Sequence, residues 1–220
     1  MQETGNNQSQ TYNLSIRLHA DGFSFYSYNP TRTEPVAIED YIYHEEESVA
    51  ETLKKAIAQS AIVRKRNNPV VYGLVTGLSM QVPLECFRKE EAHALYRLTY
   101  AQEKTGKTYY NILPHLEIAQ IFTVDHEVER ILNQHFPGIR FYHSHTMILE
   151  KLWLLAQQDK RQLYAYFDEK RSFRIRLSGT TIMLCQYLSG RRGGQCGILH
   201  PFRMERPENG CTSGGMHTIG

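Results

Sequence analysis

Few residues in this sequence have types and spacings that could do chemistry. Gly106-Lys107-Thr108 ends as a phosphate-binding P-loop ends, but that loop needs a glycine five residues earlier and Ala101 stands there. The triplet also follows a helical pattern instead of joining a strand to a helix, so Gly106 reads as a helix C-cap. His143 and His145 alternate within "IRFYHSH", which reads as a strand and puts both imidazoles on one face. With His126 or Asp125 they would make the nitrogen and oxygen donor set that zinc takes, but His-x-His alone is too sparse to assign a metal. Cys185, Cys196 and Cys211, with His200 and His217, lack the Cys-x-x-Cys spacing of a zinc ribbon. Cys86 reads as a buried thiol. No nucleophile, base and orienting group stand in a recognisable arrangement, so no catalytic residue and no metal ligand is assigned.

The elements that would carry these residues follow from periodicity. "TYNLSIRLHADGFSFYSYN" is two alternating runs about Asp21-Gly22, a hairpin signal. Leu14, Ile16 and Leu18 share one face, as do Phe23 and Phe25. "EPVAIEDYIY" is a third strand opened by Pro35. A helix is predicted over 46–63, with Val49, Leu53, Ala56 and Ile57 inward. "NNPVVYGLVTG" and "LSMQVP" read as extended and "CFRKEEAHALYRLTYAQE" as helical. "TYYNIL" and "EIAQIFTV" read as paired strands. Asp125 caps a helix with Val128, Ile131 and Leu132 inward, and "MILEKLWLLAQQDK" is a further helix. Tyr96, Tyr100, Tyr109 and Tyr110 crowd one connection and are expected to line an interface. "QLYAYFDE" then opens a new strand.

Composition narrows the class. The chain has 220 residues, 41% hydrophobic and 22% charged, which is enough for a core. Its net charge of +2 argues against a nucleic-acid binder, and "VRKRNNP" reads as a solvated helix end. No run reaches the roughly 18 apolar residues of a membrane span. The polar start "MQETGNNQSQ" is not a secretory signal, and residues 1–10 read as disordered. A reducing cytoplasm is the expected location.

The composition breaks at Arg171. Residues 1–170 carry a net charge of −3, and residues 171–220 carry +5 with no Lys, Asp, Ala or Val. Nine of the 15 glycines and three of the four cysteines lie in that last stretch. An altered reading frame from about Arg171 would explain this, because the shifted frame can spell a further strand and a helix. The alternative is a Gly/Arg-rich disordered tail.

The element order is β-β-β-α, then alternating strands and helices, then a fresh strand at Leu163. A unit of this order that begins again resembles the actin-like architecture. "LSIRLHADGFSFYSYN", "VPLECFRKEEAHALY" and "HLEIAQIF" are similar to an uncharacterised Bacteroidetes family, the domain of unknown function 3822. The resemblance implies an α/β fold with a mixed sheet, an actin-like (ribonuclease H-like) β-β-β-α-β-α-β-α half and an incomplete second half. It also implies a longer protein, so that residues 11–162 are the first half, 163–170 the first strand of the second, and 171–220 an out-of-frame or disordered tail.

Actin-like ATPases cradle phosphates on a hairpin of the form Asp-x-Gly followed by a small or hydroxyl residue. The resemblance makes Asp21, Gly22 and Ser24 the candidate nucleotide-contacting residues, with ATP and Mg²⁺ implied by fold analogy alone. The pattern departs here, since Gly22 follows Asp21 directly and Phe23 fills the place of a small residue. The expected function is therefore a non-enzymatic or degenerate-ATPase binding or scaffolding module with a protein partner. The alternatives are an ATP-dependent kinase or hydrolase that needs an intact second half, and a non-functional frameshifted product.

Overall fold

A computed structural model of the chain describes residues 12–19, 21–31, 36–43, 46–64, 70–102, 106–155, 161–168, 171–178, 181–189 and 201–202. Residues 1–10, Cys196, His200, Cys211 and His217 lie outside them. In chain order the strands are β1 (Asn13–His19), β2 (Gly22–Tyr28), β3 (Ala37–Ile42), β4 (Val71–Val75), β5 (Ser79–Pro83), β6 (Gly106–Leu113), β7 (Ile118–Asp125), β8 (Arg140–His143), β9 (Arg161–Asp168), β10 (Arg171–Ser178), β11 (Thr181–Ser189) and β12 (Pro201–Phe202). The helices are α1 (Val49–Gln59), α2 (Ala61–Arg64), α3 (Ala92–Thr99), α4 (His126–His135) and α5 (Ser144–Leu155). The chain divides into two compact units, Met1–Leu152 and Trp153–Gly220.

In the first unit, β1, β2 and β3 form an antiparallel meander, and β4 and β8 extend it in parallel with β1, in the order β3-β2-β1-β4-β8. Alternation decides its inner face. Leu14, Ile16, Leu18, Phe23 and Phe25 are buried there against Leu53, Ala56 and Ile57 of α1 and Val128, Ile131 and Leu132 of α4. Removing these side chains from water is the main stabilising term of this layer. Helix α1 starts with a capping box, in which Glu51 N–H donates to Ser48 Oγ and Ser48 N–H donates to Glu51 Oε2. The predicted single helix over 46–63 breaks at Ser60. There, Glu39 of β3 accepts from the N–H groups of Ala61 and Ile62 and so starts α2 separately.

Between β4 and α4 the chain builds a second, three-stranded antiparallel sheet in the order β5-β7-β6. The paired strands expected from "TYYNIL" and "EIAQIFTV" are β6 and β7, and "LSMQVP" joins them as β5. Gly106 is the first residue of β6 and not a helix C-cap. A Cβ there would collide with the Val124 carbonyl, so close strand approach explains the glycine. "CFRKEEAHALYRLTYAQE" is two short 3-10 turns followed by α3, and Cys86 is exposed instead of buried. The four tyrosines do not share one face. Tyr96 and Tyr100 hydroxyls donate to the Leu78 and Ser79 carbonyls, Tyr109 packs against Phe141, and Tyr110 packs against Phe87.

In the second unit, β9, β10 and β11 form another antiparallel meander, with β12 on the far side of β9 in the order β11-β10-β9-β12. Arg171 pairs with Asp168 and with Ser189, so the break in composition at Arg171 is not a break in secondary structure. "RSFRIRLS" alternates and pairs as a strand does, whatever its charge.

Burial separates substitutions sharply in this fold. Leu53→Ala is expected to cost about 2–5 kcal/mol in urea denaturation. Ile42→Ala, at a side chain 67% exposed, is expected to stay within about 0.5 kcal/mol of the parent.

Candidate functional site

Strands β1, β4 and β8 run parallel and end side by side at His19, Val75 and His143. Open α/β sheets bind ligands outside the carboxyl ends of such strands, which makes this edge the candidate site. It gathers both sets of residues singled out by sequence, the Asp21 hairpin and the histidine pair. Thr76 continues β4 by giving its N–H and its hydroxyl to the Leu18 carbonyl, at 3.0 and 2.8 Å. Gly77 then takes φ +148°, open to glycine and strained for other residues, and the chain leaves the edge towards β5.

The hairpin is closed by its own side chains. His19 pairs with Gly22, so Gly22 already belongs to β2. Gly22 does not have the positive φ expected of a turn glycine. It is glycine because a Cβ would overlap the Tyr41 carbonyl of the neighbouring strand. Phe23 points into the core and meets Tyr43 edge-on at 5.0 Å. Ser24 is buried, with its Oγ 3.3 Å from His19 Nε2. The Asp21 carbonyl accepts the Tyr43 N–H at 2.8 Å. Burial holds the Tyr43 hydroxyl well above the usual tyrosine range, and the Asp125 and Asp21 carboxylates push it the same way. Asp21 and Asp125 thus give the hairpin end a negative field.

The histidines occupy the end of the sheet. They do not share a strand face as predicted. His143 is the last residue of β8 and His145 lies in the first turn of α5, because the chain passes from strand to helix without a loop. Both are buried, their ring centroids 4.6 Å apart at 72°. The His145 N–H donates to His143 Nδ1 at 3.2 Å, which leaves the His143 proton on Nε2. Ser79 Oγ lies 3.4 Å from His143 Nδ1 and 3.5 Å from His145 Nδ1. His143 Nε2 is buried and makes no hydrogen bond of normal geometry, although the Gly77 backbone acts on the ring in favour of its charged form. Burial outweighs that contact and lowers His143 to about 3. Burial and the neighbouring His143 lower His145 to about 2. Both rings are neutral near pH 7.

Neutral imidazoles can ligate metal, but among the described residues no three His, Cys, Asp or Glu side chains come together. The carboxylate proposed to join them, Asp125, caps α4 by accepting from the N–H groups of Glu127 and Val128. Sequence reasoning missed Asn111, a buried amide on β6. Its Oδ1 accepts the His143 N–H and the Thr146 hydroxyl, each at 2.9 Å, and its Nδ2 donates to the Phe141 carbonyl at 3.0 Å. The available signal was a polar residue at an inward position of the alternating run Tyr109, Asn111, Leu113. At this edge buried side chains bond to one another, with His143 Nε2 and His19 Nδ1 left without a hydrogen-bond partner of normal geometry among the described residues, beside a carboxylate-bearing hairpin.

Comparison with known proteins gives the fold a place. The sequence pattern of the family described as "Protein of unknown function (DUF3822)" matches residues 2–189, across Arg171 and to the end of β11. A crystal structure from Bacteroides thetaiotaomicron, of a protein with an actin-like ATPase fold and unknown function, is similar with a TM-score of 0.75 and 24% identity, over 84% of this chain and 72% of that one. The architecture is accordingly actin-like. A looser likeness, with a TM-score of 0.45 and 12% identity over 80% of this chain and 61% of that one, is to a PilM–PilN type IV pilus biogenesis complex. Among curated proteins none matches. No helix among the described residues is long and apolar enough to cross a membrane.

The buried histidines give acid sensitivity a definite sign. Their folded values lie below the ordinary 6.5, so the unfolded chain takes up protons that the folded chain refuses. Stability is complete above that ordinary value and falls as pH drops, by up to about 1.4 kcal/mol per pH unit for each ring. Glu39 and Glu129, whose values are lowered from 4.5, lose their contribution only further into acid. Urea denaturation between about pH 6.5 and 5 is expected to show this slope, and His143→Gln with His145→Gln to flatten it.

Proposed function

This chain belongs to the family Protein of unknown function (DUF3822), and from that premise we propose that it is a binding or scaffolding module on an actin-like fold that does no nucleotide chemistry. One observation carries the reading, the construction of the first hairpin. Cradling a phosphate requires small residues and free backbone N–H groups at the loop. Here β2 is paired on both sides, by β1 and by β3. Gly22 is used for the approach of the Tyr41 carbonyl, and Phe23 and Ser24 are both buried. Asp21 and Asp125, both close enough to act on Tyr43, oppose a polyanion by charge.

The competing reading is an ATP-dependent kinase or hydrolase. The same two carboxylates favour it, since both act on Tyr43 beside the hairpin and carboxylates suit a magnesium-bound nucleotide. It requires groups from the second unit. The meander β9-β10-β11 repeats the order and directions of β1-β2-β3, which supports reading the second unit as the start of a second copy of the first. We place the boundary of that copy's family-like sequence after Ser189 and not at Arg171. Any change of reading frame would then fall beyond β11.

Titration calorimetry of the full chain with Mg–ATP, carried to millimolar concentration, tests the two readings. No saturable heat is expected, either from the parent or from Asp21→Ala. Saturable binding that Asp21→Ala abolishes would establish the nucleotide-dependent reading instead.

A further inference from the structure

We propose that the open edge of β3 accepts an extended peptide from another protein as an added strand, with a basic residue of the peptide against Asp40 and apolar residues against Ile38 and Ile42. The proposal rests on the reading as a binding module and gives it a partner chemistry. Among the described residues β3 ends its sheet, with β2 as its single neighbour. Ile38, Asp40 and Ile42 alternate onto one face. Ile38 is 54% and Ile42 67% exposed, and Val36 just before them is 47% exposed. Proteins usually blunt such an edge with lysine, proline, a bulge or a covering segment. The two isoleucines do the opposite.

The strand is already shaped for pairing. Its other face is anchored, with Glu39 accepting from the N–H groups of Ala61 and Ile62 and Tyr41 packing against Phe25 at 5.3 Å. A peptide added here orders itself but not its receptor, which lowers the entropic cost of strand addition.

Charge selects the occupant. In the two-fold antiparallel register that sets Ile38 of one copy against Ile42 of another, Asp40 falls opposite Asp40. Like charges directly opposite across a strand pair destabilise it, so a second copy of this chain is disfavoured. A partner strand with a lysine or arginine between two apolar residues reverses that sign and keeps both apolar contacts.

Fluorescence anisotropy of the full 220-residue chain with labelled peptides tests this. The probe carries Ile-Thr-Lys-Thr-Ile flanked by serines, and its twin carries Glu in place of Lys. The Lys peptide is expected to bind roughly threefold to tenfold more tightly than its twin, with the order reversed by Asp40→Lys. Ile42→Thr is expected to weaken both. Absence of binding, equal affinity for the two peptides, or indifference to Asp40→Lys overturns the proposal. So does self-association of the parent chain that Ile42→Thr removes. Any of these leaves the module reading standing, because that reading falls only if nucleotide binds.

Discussion

The amide of Asn111 is the polar group on which the arrangement of the first unit turns. Strand β8 has only four residues, Arg140–His143, and pairs with β4 along one side. Along its other side, Asn111 Oδ1 accepts both the His143 N–H and the Thr146 hydroxyl at the start of α5, and its Nδ2 donates to the Phe141 carbonyl. One side chain of the inserted sheet thereby fixes the end of a strand and the start of a helix in the main sheet. Tyr109 on the same strand adds an aromatic contact, its ring 4.8 Å from Phe141. A buried amide is costly unless satisfied, and here all its bonds go to groups that would otherwise be orphaned.

This joint sets the chemistry of the carboxyl edge. Because β8 runs straight into α5, His143 and His145 are drawn inward instead of facing a crevice, and burial keeps them uncharged. Ser79, held at the start of β5, sits between them. On the neighbouring hairpin, Ser24 and Phe23 are buried as well. The edge is thus occupied by buried side chains, among them Ser24, Ser79, His143 and His145. Among the described residues, exposed apolar side chains occur on β3, at Ile38 and Ile42, and also on other elements, at Leu98, Ile112 and Leu154.

Much of this was legible in the sequence wherever one physical rule acted alone. The alternation of Leu14, Ile16 and Leu18, the stripe Val128, Ile131 and Leu132, and the Asp125 cap all follow from local periodicity and local hydrogen bonding, and each stands as expected. Glycines misled, because their reasons are tertiary. Gly22 and Gly106 are set by the carbonyls of Tyr41 and Val124, which no local pattern announces. His145 was placed on a strand because a change from strand to helix within two residues leaves no loop signature. At Arg171 composition pointed one way and alternation the other. Phe173, Ile175 and Leu177 keep a period of two, and the backbone pairs accordingly. Pairing depends on that period and on backbone groups, not on whether the charged residues are Lys or Arg.

The central claim is that the histidine end of the carboxyl edge is a buried joint of two neutral rings. Side-chain ¹⁵N and ¹³C resonances of His143 and His145, followed by NMR from neutral pH down to about pH 5, test it most directly. A closed joint predicts two neutral rings whose signals stay unchanged through that range while exposed histidines titrate, with the His143 proton on Nε2. Titration of either ring near the ordinary imidazole value, with the fold intact, would contradict the account.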